Sequence, residues 1–146
     1  MGAKMPSAQR TIVINRPVEE VFAFFTDPTN DVSWRPHVKE VSTEGPVAEG
    51  SRIHQVVTGP AGRGIPADIE VTALEPPTRY AFQVVAGPVR PLGEFRFTAD
   101  GDTTTVSFSL TAELTGLKKL VMSRPVQNSM DGEKRALDRA KAILEG

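Results

Sequence analysis

The chain has no cysteine, which excludes disulfides, thiolate metal ligands and a cysteine nucleophile together. It has only two histidines, His37 and His54, in 146 residues. They share no face and have no carboxylate at ligand spacing, so no metal site is expected, and no motif calls for a cofactor. There is no Gly-x-Ser-x-Gly elbow, no phosphate loop and no dinucleotide fingerprint. Asp27, Asp31 and Glu44 form no recognisable carboxylate pair. No apolar run approaches the ~18 residues of a membrane span, and the first residues lack a signal-peptide core, so no stable membrane insertion is expected. With cysteine also absent, a cytoplasmic location is the expectation. Charge of one sign is missing too: Lys plus Arg total 17 and Asp plus Glu total 18, a net charge of −1. That leaves no basic face for a phosphate backbone, and nucleic acid is not an expected partner.

What is present suits one core. At 39% hydrophobic residues, the chain can bury a single sizeable interior. Residues 1–7 read as a disordered N-terminal segment and 8–146 as one domain. Residues 9–15 are β-branched and short, and Pro17 then suits a helix start. Between Pro17 and Asp27, Val18, Val21, Phe22 and Phe25 recur at helical spacing, with Asn15 or Arg16 available to cap and Glu19 and Glu20 to complement the dipole. A second short helical segment around Val32, Trp34 and Arg35 ends at Pro36.

From His37 the period changes to two. Strands are expected at 38–43, 51–58, 66–75, 79–86, 90–99 and 103–113, with turns at Glu-Gly-Pro, Gly-Pro-Ala-Gly-Arg-Gly, Glu-Pro-Pro-Thr and Asp-Gly-Asp. Short links between sequential strands imply an antiparallel meander. The clearest alternation sets Val106, Phe108, Leu110, Ala112 and Leu114 on a dry face, with Phe95 and Phe97 joining them.

The last thirty residues carry an apolar stripe of helical period, Val126, Met130, Leu137, Ala140, Ile143 and Leu144. Pro125 would interrupt a helix interior, so a short helix or loop at 116–123 and a main helix from about 125 to 145 are expected. The fold class is α+β: a curved antiparallel sheet of about seven strands around one long C-terminal helix, with two short helices after the first strand. One helix cannot fill the concave side of such a sheet, and the space left is a cavity for a hydrophobic small-molecule ligand.

Three phrases carry a family resemblance: Asn15-Arg-Pro-Val-Glu-Glu-Val-Phe-Ala-Phe-Phe-Thr-Asp27 with Trp34 soon after, Leu74-Glu-Pro-Pro-Thr-Arg-Tyr-Ala-Phe82, and Arg135-Ala-Leu-Asp-Arg-Ala-Lys-Ala-Ile-Leu-Glu145. In this order they resemble the START-like (SRPBCC) superfamily and its polyketide cyclase/dehydrase-like branch, over residues 8 to 145. The resemblance implies a helix-grip fold that binds lipids, sterols, polyketides or hormones, with a minority of members catalysing. It leaves three functions in play: a binding or carrier protein, a polyketide cyclase or aromatase, and an accessory protein resembling the G-type component of carbon monoxide dehydrogenase. Homodimerisation stays open.

The cavity is expected to be lined by Phe25, Trp34, Val56, Phe82, Phe95, Phe97, Phe108, Leu110, Met122, Val126 and Met130. Trp34 could stack on a ligand ring or simply pack. His37, beside Pro36, reads as an exposed loop residue. His54 is the best candidate for a catalytic acid or base, provided the strand register turns it inward; if Val56 points inward, so does His54. Arg52, Arg79, Arg96, Glu70 and Glu94 are expected on the wet face as cross-strand pairs. Ser123, Gln127, Asn128 and Ser129 supply polar atoms near the start of the closing helix.

Overall fold

The computed structural model describes residues 6–87, 89–114 and 116–146, the side chains of residues 60 and 116–121 excepted. Strand β1 (Ser7–Ile14) leads into helix α1 (Val18–Thr26), a 3-10 turn (Pro28–Asn30) and the short helix α2 (Asp31–Trp34). Strands β2 (Val38–Thr43), β3 (Arg52–Thr58), β4 (Gly64–Pro66), β5 (Ile69–Glu75), β6 (Arg79–Val84), β7 (Leu92–Asp100) and β8 (Thr103–Thr111) follow, and helix α3 (Gly116–Glu145) closes the molecule. Part of the segment expected to be disordered is ordered: Ser7 already belongs to β1, while residues 1–5 lie outside the described residues.

All strands join one antiparallel sheet, in the order β1-β8-β7-β6-β5-β3-β2, with β4 paired to β3 alone. Of the run expected as one strand over 66–75, Pro66 belongs to β4 and Ile69–Glu75 forms β5. Pro66 ends β4, and the chain bends through Ala67 and Asp68 before β5 continues along Arg52 and Ile53 of β3. Between β7 and β8 the turn leaves only Gly101 and Asp102 outside the pairing, and Gly101 takes φ +59°, a left-handed conformation that glycine adopts without penalty.

At the start of α1 the expected side-chain cap is absent. Pro17 itself holds the cap position, and its carbonyl accepts from the backbone N–H groups of Glu20 and Val21 at 3.1 Å. Asn15 instead donates its backbone N–H to Glu145 at 2.8 Å, tying the end of β1 to the end of α3. The break expected at Pro125 is also absent, since α3 continues through it. A proline within a long helix forfeits one hydrogen bond and bends the axis, and here the turns on both sides hold.

The inner face of the sheet carries Ile53, Val71, Tyr80, Phe95, Phe97, Val106, Phe108 and Leu110, all buried. The outer face carries ion pairs, among them Arg79–Glu94 at 2.6 Å and Arg96–Glu94 at 2.9 Å, as the alternation requires. Helix α1 drives Phe22 and Phe25 onto the inner face, where Phe22 meets Phe97 edge to face at 5.2 Å and Phe25 meets Phe95 at 5.1 Å.

Candidate functional site

Helix α2 is one turn long, so Trp34 and Arg35 emerge at its end pointing back over the sheet. Trp34 packs edge to face on Phe25, with centroids 5.3 Å apart, and is 3% exposed. The Arg35 guanidinium lies 6.0 Å from the Trp34 ring centroid, within cation–π reach. Arg35 is itself largely buried and all three of its guanidinium nitrogens are engaged. Its Nε and Nη2 donate to Glu133 of α3 at 3.1 and 3.0 Å, and its Nη1 donates to Asp31 at 3.0 Å and to Gln55 of β3 at 3.1 Å. His37 Nε2 contacts the same Glu133. Five polar side chains from α2, β2's leading edge, β3 and α3 thus form one partly buried network.

The two carboxylates do not share Arg35 equally. Burial pushes the Glu133 carboxyl up, but the Arg35 charge, the His37 hydrogen bond and charge, and the Arg35 hydrogen bonds outweigh it, leaving its pKa at about 2. Asp31 receives only Nη1, so burial dominates over the Arg35 charge and hydrogen bond and its pKa rises to about 6. For Arg35, burial works against the charge, yet Glu133 and Asp31 overcome it and raise the pKa. Burial, followed by the Asp31 charge, pushes the neighbouring Tyr80 hydroxyl well above its ordinary value, so it stays neutral.

Two neighbouring spaces that share part of their lining lie between the sheet and α3. The outer cavity, about 150 Å³, is walled by apolar residues including Val57, Ile65, Val84 and Met130, with Arg35, His37, Gln55 and Glu133 along one side. The inner recess, about 30 Å³, is bounded by Asp31, Trp34, Tyr80 and the aromatic cluster. Phe82, Arg35, Gln55 and Glu133 line both spaces. Phe82 can lie there because its register partner is Gly93: a Cβ at that position would collide with the Phe82 ring. The Trp34 indole N–H is buried and makes no hydrogen bond of standard geometry among the described residues; it lies close enough to Asp31 only for a weak hydrogen-bonding contribution, the smallest of those acting on that carboxyl.

Of the residues expected to line the cavity, Phe25, Trp34, Phe82, Phe95 and Phe108 border the recess, and Phe82, Leu110 and Met130 border the outer cavity. Phe97 and Val126 are buried in the core away from both, and Met122 is half-buried against that core. Val56 does not line the cavity. Ile53 and Gln55 point inward, so Val56 and His54, at the alternate positions of β3, face outward. There His54 is bonded at Nδ1 to Asp68 at 2.8 Å and at Nε2 to Glu40 at 3.2 Å, with 45% of its side chain exposed. His37, expected in an exposed loop, is instead the histidine that reaches the cavity. Asp31, Arg35, Gln55 and Glu133 carried no local signal, because their grouping depends on α3 crossing β3 and α2. Ser129 also lines the outer cavity, while Gln127 bonds to the backbone of Ser7 and Asn128 is exposed.

A curled antiparallel sheet gripping one long helix, with an apolar cavity between them, defines the START-like class of helix-grip proteins. Within that class the chain belongs to the family described as polyketide cyclase / dehydrase and lipid transport, whose sequence model matches residues 5–145. No curated protein matches the chain by sequence. By structure it is similar to TTHA0849 from Thermus thermophilus, with TM-score 0.78 and 20% identity over 95% of this chain and 97% of that one. A START superfamily protein from Mycobacterium smegmatis aligns with TM-score 0.73 and 14% identity over 95% of this chain and 97% of that one. The di-domain ARO/CYC StfQ from the steffimycin biosynthetic pathway aligns with TM-score 0.74 and 16% identity, over 97% of this chain and 51% of StfQ. At these identities the likeness establishes the fold.

Proposed function

We propose that the chain binds a small hydrophobic molecule in the cavity between the sheet and α3. The observation that carries this reading is an apolar space of about 150 Å³ closed along one side by the buried Arg35–Glu133 network. A space of that size accepts a benzene-sized guest, so the resting protein suits a single ring, and a fused polycycle or acyl chain needs the walls to move or extends out of the mouth. Native mass spectrometry of freshly purified protein, followed by organic extraction and by titration with ring compounds, tests the reading. A stoichiometric hydrophobic passenger or saturable binding supports it; an empty protein that binds no ring compound refutes it.

A cyclase-type enzyme is the second reading, and the observation favouring it is His37 seated against Glu133 on the cavity wall. An imidazole held by a buried carboxylate is a proton-transfer pair, whereas His54 lies on the other face of the sheet. His37→Ala should then abolish turnover while sparing binding. The accessory-protein reading has least support: the exposed large apolar residues among those described, Val13, Val32, Leu92 and Ile143, sit on four different elements.

A further inference from the structure

The inner recess holds a buried donor that the network leaves without a well-formed hydrogen bond. Trp34 is 3% exposed, lines the recess together with Asp31, and its Nε1–H has no hydrogen-bond partner among the described residues. A buried N–H without an acceptor is rare in a folded protein and points to a group that arrives from outside the chain. Arg35, the obvious anchor for an anion, is not free to serve, because Nε and Nη2 are held by Glu133 and Nη1 by Asp31 and Gln55. A ligand carboxylate in the recess would also meet the Asp31 and Glu133 carboxylates that line it.

Asp31 uses Oδ2 for Arg35, so the recess sets an N–H that lacks a well-formed bond beside a carboxylate that can still accept, with only a weak interaction between them. A donor beside an acceptor matches a hydroxyl, which both gives and receives. A carbonyl satisfies only the indole, and an ammonium only the carboxylate. Size agrees: about 30 Å³ holds one polar atom, and the adjoining apolar space of about 150 Å³ holds one ring. Phe82, Arg35, Gln55 and Glu133 line both spaces, so a ring in one lies within reach of a polar site in the other once these side chains give way.

We propose that the cavity recognises a neutral hydroxyl on a single ring, a phenol or an enol, with Trp34 Nε1 donating to the hydroxyl oxygen and Asp31 accepting its hydrogen. The proposal deepens the binding reading and rests on it. Three probes of one shape separate the alternatives on the full chain: p-cresol, toluene and p-toluate. Trp34 is the single tryptophan, so its indole N–H gives one resonance in a 15N-labelled sample. We expect p-cresol to bind about tenfold more tightly than toluene, as a satisfied buried donor implies. p-Cresol should move the indole resonance downfield, toluene should leave it in place, and p-toluate should show no saturable binding. Trp34→Phe should shrink the preference for p-cresol over toluene, because the ratio of the two affinities reads the lost donor whatever the substitution does to both.

Equal affinities for p-cresol and toluene, or an indole resonance that p-cresol leaves unmoved, overturns the proposal; tightest binding by p-toluate overturns it in favour of an anion site. Binding by none of the three sinks the binding reading itself, which is a separate result. If Trp34→Phe fails to fold, the indole shift in the unaltered protein still decides.

Discussion

Replacing Asp31 with asparagine should stabilise the protein at neutral pH, which runs against the usual expectation for removing a buried ion-pair partner. The folded-state pKa of about 6 stands above the ordinary 3.8, so the folded protein holds this proton more tightly than the unfolded chain does. Ionised Asp31 therefore costs stability: the cost is absent below the ordinary value, grows as pH rises, and is complete above about 6. At about 1.4 kcal/mol per pH unit, the gap amounts to about 3 kcal/mol at neutral pH. Asparagine is the permanently uncharged isostere, and its amide oxygen can still accept from Arg35. Urea unfolding of both proteins between about pH 4 and about pH 8 measures the difference. The two curves should nearly coincide at the acid end and separate through the window, with Asp31→Asn ahead by about 1 to 3 kcal/mol at neutral pH. Glu133 moves the other way. Its contribution is present above the ordinary 4.5 and is lost as pH falls toward about 2, but it is common to both proteins and cancels in the comparison. A variant that is less stable at neutral pH, by as much as at acid pH, would refute the reasoning and show that the Arg35–Asp31 bond outweighs burial.

Arg35→Met should lose about 3 to 5 kcal/mol at neutral pH, because it strands two buried carboxylates, and should regain part of that on acidification; chemical denaturation at the two pH values reads it. Gly93→Ala drives a methyl group into the Phe82 ring, and should cost about 1 to 3 kcal/mol together with a change in ligand affinity, seen by thermal unfolding and titration. His54→Ala should leave binding of any cavity ligand unchanged and alter stability by less than about 1 kcal/mol, since its two carboxylate contacts are on the solvent face; a lost ligand signal would put His54 back at the site.

The architecture was legible in the sequence because the periods were long and the punctuation strong. Val106, Phe108 and Leu110 alternate without exception, and Pro76-Pro77 and Asp100-Gly101 mark turns that the structure keeps between β5 and β6 and between β7 and β8. Boundaries slipped where one residue type pulled two ways: Pro66, expected to open a strand, closes β4 instead, while Pro125, expected to mark a break, lies inside one continuous helix. The site was half legible. Aromatic cavity residues follow from the dry face of each strand. The face of β3 did not, because Ile53-x-Gln55-x-Val57 and His54-x-Val56 each mix apolar and polar residues, so period two could not choose between them. Nor could spacing reveal Arg35 with Glu133, since their meeting is a property of the docked helix and of no local pattern.

That docking has a consequence for assembly. Arg35 reaches Glu133 across 98 positions of chain, Ser7 reaches Gln127 across 120, and Asn15 reaches Glu145 across 130. Contacts so distant close late, because each requires a long loop of chain to be gathered first. The walls contributed by α2 and the strands precede the one contributed by α3, so a polypeptide that lacks α3 has no closed chamber. A growing chain must complete its last helix before it has an interior to offer.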